Sequence, residues 1–141
     1  MRISKLEVAT RQLDAAIDHF LRGDYLPALT LSGAAEEILG SLARRAGHPV
    51  AVDQIVAYHF KDTDPALSDP ARRGVIVDVL NQGRNQAKHA NDPAETHFDL
   101  GQIDPLQMIM RAMPMAHRLG GRFGNEAAMV GWIRAHPEAV R

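Results

Sequence analysis

The sequence predicts an all-α fold, an up-and-down helical bundle with short accessory helices, formed by a single domain over residues 1–141. Three observations predict it. Apolar residues recur at three- and four-residue spacing over stretches too long for ordinary strands. Ser, Asp, Asn, Pro and Gly stand where such stretches begin and end. The connections between them are short, which favours antiparallel neighbours.

The first helix runs from Ser4 to Arg22, with Leu6, Ala9, Leu13, Ala16, Ile17, Phe20 and Leu21 on one stripe and Gly23 as its stop. Asp24 is positioned to cap the second helix, whose first turn tolerates Pro27 because those backbone N–H groups have no intrahelical acceptor. This helix reaches Ala46, where Arg44 and Arg45 suit the negative end of the dipole and Gly47 and Pro49 follow as stop signals. Val52, Ile55, Val56 and Phe60 predict a short third helix, and Lys61 to Pro70 a surface loop. The run Val75-Ile76-Val77-Asp78-Val79-Leu80 is rich in β-branched residues, but Pro70 after Asp69 is a helix start, and Val75, Ile76, Val79, Leu80, Gly83 and Ala87 keep helical spacing. A helix is therefore predicted from Pro70 to near Asn91-Asp92-Pro93. Asp104-Pro105 opens the next, with Leu106, Ile109, Met110 and Met113 on one face and Pro114 expected to kink it before Gly120-Gly121. Asn125 is placed to cap a last helix through Ala127, Val130, Trp132 and Ile133, ending at His136-Pro137.

Composition narrows the function classes. Hydrophobic residues at 45% and charged residues at 23% are those of an ordinary globular domain. The absence of cysteine excludes disulfides, thiolate-bound zinc and iron–sulfur clusters. A net charge of −1 gives no global attraction to nucleic acid or anionic membrane, so any phosphate recognition has to be local. Met1 to Glu7 holds no apolar core of a secretory signal and no run of about 18 apolar residues occurs anywhere, so a cytoplasmic, membrane-free protein is expected. Gly23 to Leu29 invites comparison with a tetratricopeptide helix pair, but no second copy follows at the required spacing.

The segment Gly83-Arg84-Asn85-Gln86-Ala87-Lys88-His89-Ala90-Asn91 gathers a permanent cation, an amide and an imidazole at a helix end. At about 100° per residue Asn85 and His89 share a face, while Arg84 aligns with Lys88 and is turned away from His89. Arg84 and His89 converge only if the helix frays near Lys88 or if a second subunit supplies the other half. A further anomaly is Glu36, set among Leu29, Ser32, Gly33, Gly40 and Ala43 on one face of the second helix. A carboxylate facing neighbouring helices requires a partner, and Arg84 is the candidate.

Arg84-Asn85 followed by His89 resembles the motif of the higher-eukaryote and prokaryote nucleotide-binding (HEPN) family, in which four to six residues stand between Arg, often followed directly by Asn, and His. The motif covers six residues, and the helical plan around it extends the likeness to about the first hundred positions. The resemblance implies a HEPN-like bundle, a homodimer, and a cleft in which two motifs cut RNA without metal. It assigns Arg84 and His89 as catalytic residues, and it matches Glu36 to an acidic residue on an early helix that approaches the arginine. The residue types suit that chemistry: His89 would take a proton from the ribose 2′-hydroxyl, and the planar fork of Arg84 would stabilise the charged phosphorane. Asn85 would orient His89 or bind a phosphate, and Lys88 would add positive charge. Some family toxins carry a tyrosine two residues after the histidine as the target of a nucleotidyltransferase; position 91 is Asn91, which departs from that subtype. The family also contains noncatalytic binding and assembly domains, so the alternative is a helical module that binds a nucleotide or a protein partner encoded nearby.

The remaining groups have plainer readings. Glu36, Arg84 and His89 can equally form a buried ion pair beside a polar helix terminus. His19, His48, His59, His117 and His136 are scattered, and His89, Asp92, His97 and Asp99 lack a fixed ligand spacing, so neither a metal nor a cofactor is expected. Met108, Met110, Met113 and Met115 read as core or interface filler, and Arg44-Arg45 and Arg72-Arg73 as solvated or helix-end charges. Gly120-Gly121 with Gly124 matches neither a phosphate loop nor a dinucleotide fingerprint.

Overall fold

The computed structural model describes residues 1–141 as six α-helices with no strand: α1 Lys5–Leu21, α2 Tyr25–Ala46, α3 Ala51–His59, α4 Asp69–Lys88, α5 Ile103–Arg118 and α6 Glu126–Ala135. The expected all-α bundle is what the chain forms. Single 3-10 turns at Phe60–Asp62 and Pro137–Val140 follow α3 and α6. No helix is long and apolar enough to cross a membrane.

The core is a three-helix unit in which α1 packs along α2, α2 along α5, and α1 closes on α5. Leu13 and Ile17 from α1, Leu39 from α2, and Leu106 and Ile109 from α5 are wholly buried there. Each contributes roughly 1.5–3 kcal/mol by leaving water. Ser4 caps α1 by accepting from Glu7 N–H at 3.1 Å. Gly47, at φ +71°, closes α2, and the next amide, His48 N–H, returns to the Ala43 carbonyl at 2.9 Å.

Two expected caps do other work. Asp24 makes no capping bond and instead lies 3.2 Å from His19 Nδ1. Asn125 likewise does not cap α6. Its backbone N–H donates to the Asp14 carboxylate at 2.7 Å and its side-chain amide donates to the Asp14 carbonyl at 3.0 Å, which latches α6 to α1. Trp132 then meets Phe20 edge to face at 4.8 Å. Pro114 does not end α5, which continues to Arg118, because its ring sits on the exposed side and costs only the intrahelical bond to the Met110 carbonyl.

Helices α3 and α4 lie outside this core. Val56 is the one buried residue of α3, and Ile76 the one buried residue of the twenty in α4. The stripe of α4 turned towards the bundle is Arg73, Ile76, Val77, Leu80, Asn81 and Arg84, all buried or half-buried. The valines expected to form its core face point outward instead: Val75 is 50% exposed and Val79 68%. The helix is thus inverted relative to ordinary amphipathicity, with guanidiniums inside and valines outside.

Candidate functional site

Small residues on α2 create the site. Ser32, Gly33 and Gly40 surround Glu36 on the buried face, and their lack of bulk lets α4 and α5 approach the carboxylate. A Cβ on Gly33 would lie 2.7 and 2.8 Å from Cδ and Cγ of Arg84, so the glycine is what admits the arginine stem across the helix. The two carboxylate oxygens are divided between two cations. Oε1 accepts from Arg111 Nη2 at 2.9 Å and Oε2 accepts from Arg84 Nη1 at 3.3 Å. Glu36 is 6% exposed, Arg111 7% and Arg84 12%, so water screens these charges little.

Arg111 also ties α5 to α4, donating to the Leu80 carbonyl and to the Asn81 side-chain oxygen, both at 3.1 Å. The Nε atoms of Arg84 and Arg111 are buried without an acceptor. Glu37, on the rim, lies 3.8 Å from Arg84. The expected pairing of Glu36 with Arg84 is present, while Arg111 was missed. A signal for it exists: Arg111 falls three residues after Met108 and four before Met115, on the stripe of α5 that is buried.

A second cluster adjoins the first. Asp53, in the first turn of α3, bridges Arg44 of α2, at 3.0 Å, and Arg73 of α4, at 2.6 Å. Burial raises its pKa, but hydrogen bonds and charge from Arg73 and Arg44 outweigh this and hold the carboxyl below its usual value. Arg44, in the last turn of α2, and Arg73 remain largely solvated as expected but share one carboxylate, and Arg72 is also engaged, donating to Thr63 Oγ1 at 2.6 Å and to the Phe60 carbonyl at 2.9 Å. Between the clusters lies a cavity of about 300 Å³ whose wall includes Glu36, Glu37, Arg44, Arg73, Arg84 and Arg111. A larger recess, about 460 Å³, between α4 and the start of α5 contains no arginine or lysine, whereas four arginines converge on the smaller cavity.

The other motif residues lie elsewhere. His89 ends α4 in extended conformation, its N–H bonded to the Asn85 carbonyl at 3.0 Å. It faces a separate recess of about 190 Å³ with Gln86, Glu95, Thr96 and His97. Asn85 and Lys88 are exposed and line neither cavity. Within one subunit, then, Arg84 and His89 do not share a cavity: five helical steps turn them about 140° apart, and the chain leaves the helix only at His89 itself. No three His, Asp or Glu side chains, His89, Asp92, His97 and Asp99 included, gather as metal ligands would.

Comparison with protein-family models, with curated proteins and with solved structures gives no match to this chain.

Proposed function

We propose that the chain is a HEPN-like, RNA-directed domain that works as a homodimer, with Arg84 of one copy and His89 of the other contributing to a composite, metal-independent ribonuclease site. The observation that carries this reading is the ion pair between Glu36 and Arg84, which holds the arginine of the Arg-x4-His motif against an early-helix carboxylate as the family resemblance implies. Nη1 carries the bond to Glu36 and lies 3.8 Å from Glu37, so the other N–H groups of the Arg84 fork are the ones left to meet a phosphate. Since one subunit keeps the two motif residues in different recesses, a second copy is required. The outward valines of α4 offer the surface for it: Val75 and Val79 are a helical turn apart and gain from leaving water.

In the reaction, His89 takes the 2′-hydroxyl proton as that oxygen bonds to phosphorus, Arg84 stabilises the phosphorane, and the P–O5′ bond breaks as the proton passes from His89 to the 5′-oxygen, giving a 2′,3′-cyclic phosphate and a 5′-hydroxyl, with Asn85 and Lys88 contributing orientation and charge. Unstructured RNA incubated with the protein in excess chelator tests it. Wild type cuts, Arg84→Ala and His89→Ala do not, and a mixture of the two variants recovers cutting because mixed dimers contain one intact pairing. An inert wild type, or cutting indifferent to both substitutions, overturns the reading.

The position of His89 outside the Arg84 cavity favours a second reading, a noncatalytic module that binds a nucleotide or a protein partner encoded nearby. It predicts RNA or nucleotide retention without cutting, weakened by Arg84→Ala and indifferent to His89→Ala.

A further inference from the structure

The cavity holds more positive charge than its known partners neutralise. Four guanidiniums, from Arg44, Arg73, Arg84 and Arg111, face it; Glu36, Glu37 and Asp53 supply three negative charges, which leaves +1. Without the Asp53 charge the sum is +2, equal and opposite to a phosphate monoester, which carries about −1.5 to −2 near neutral pH.

Arg44 and Arg73 come from different helices and converge on the same carboxylate, the two-sided guanidinium geometry that suits a tetrahedral oxyanion. The residue they grip is poorly anchored otherwise. Asp53 is 39% exposed and rides on a nine-residue helix with a single buried side chain, so letting it swing into water disturbs little of the core. The cavity volume, about 300 Å³, lies at the lower end of small-ligand sites. Val50, Val52 and Val77 also line it and give an apolar surface for the body of a small phosphorylated ligand.

We propose that this cavity binds a phosphate monoester between Arg44 and Arg73, with Asp53, which pairs with both arginines from beside the cavity wall, as the carboxylate that the incoming phosphate displaces. The site shares a wall with the proposed RNA site but does not depend on RNA being cut, and the two readings fail separately.

The test is calorimetric titration of the full chain with three probes: inorganic phosphate, adenosine monophosphate, and a short RNA with or without a 5′-phosphate. Binding of all three phosphates identifies a general oxyanion site; binding of the phosphorylated RNA alone identifies a terminal-phosphate site. Asp53→Asn, which removes the competing charge and keeps the shape, tightens binding about tenfold, the scale of one partly screened charge at contact distance. Arg73→Ala and Arg44→Ala each weaken it at least as much, while Arg45→Ala, at an exposed neighbour off the cavity wall, leaves it unchanged. Absence of phosphate binding to both wild type and Asp53→Asn overturns the proposal. So does equal weakening by Arg45→Ala, which would signal nonspecific attraction. Thermal melting of each variant shows that a lost signal is not lost folding.

Discussion

Glu36 and Arg111, 75 positions apart in the chain, meet at 2.9 Å in a nearly dry interior and bind α5 to α2, while the second oxygen of the same carboxylate holds Arg84 of α4. One acidic side chain therefore joins three helices. Buried charges of this kind gain little over apolar packing while intact, yet removing one partner exposes the full cost of burying the others.

Glu36→Ala should accordingly lower stability by about 3–5 kcal/mol, measured by urea unfolding, because two buried guanidiniums lose their counter-charge. Replacing all three residues with apolar side chains of similar volume, Glu36→Leu with Arg84→Met and Arg111→Met, should recover most of that loss. A Glu36→Ala penalty under about 1 kcal/mol would mean that the arginines reach solvent.

Gly33→Ala places a methyl against the Arg84 stem, whose head is fixed by Glu36, and should cost about 1–3 kcal/mol as an overpacked contact. In an Arg84→Ala background the same substitution meets no side chain there, so its penalty should largely vanish. A double-mutant cycle checks this, and additivity of the two effects would place the strain elsewhere.

The Asp53 bridge makes stability depend on acid. Its carboxyl titrates lower when folded than when unfolded, so its contribution is complete above the unfolded value of about 4 and fades as pH falls through the lower folded value. Because Asp53 is more than a third exposed, the effect is screened to at most about 1 kcal/mol and shrinks further in salt. Urea unfolding of wild type and Asp53→Asn at several pH values should show a gap near neutrality that closes towards pH 3; a gap independent of pH would contradict this account.

Val79→Glu puts a charge at the middle of the outward face of α4. If two copies pair there, light scattering should show the wild-type mass halved by this substitution, with helical circular dichroism unchanged because Val79 has no place in the core. A wild type that is already monomeric at micromolar concentration removes the composite-site reading.

Most helix limits were legible in the sequence because Ser4, Gly47 and the segment before Pro70 act locally, through caps and backbone freedom. The pairing of Glu36 with Arg84 was legible for a different reason: an acid on a face turned towards neighbouring helices has to find a cation. The facing of α4 was not, since Val75, Val79 and Ile76 form a convincing apolar stripe, and only the packing against α2 selects the adjacent polar one. Asp24 and Asn125 misled because both have capping chemistry but are drawn off by His19 and Asp14. The separation of Arg84 from His89 was legible in the helical rotation alone. Arg44 and Arg73 looked like ordinary terminal charges because Asp53, their shared acceptor, lies on a third element.

Because α4 is fastened by directional charge contacts, one buried isoleucine and the half-buried Val77 and Leu80, it should open as a unit before the α1–α2–α5 core does. Its amide protons should then exchange with deuterium well before those of α2. An ionic fastening also releases without first flooding an apolar core, so the helix that carries the Arg-x4-His motif is the piece of this molecule best suited to be reset by whatever comes to lie against it.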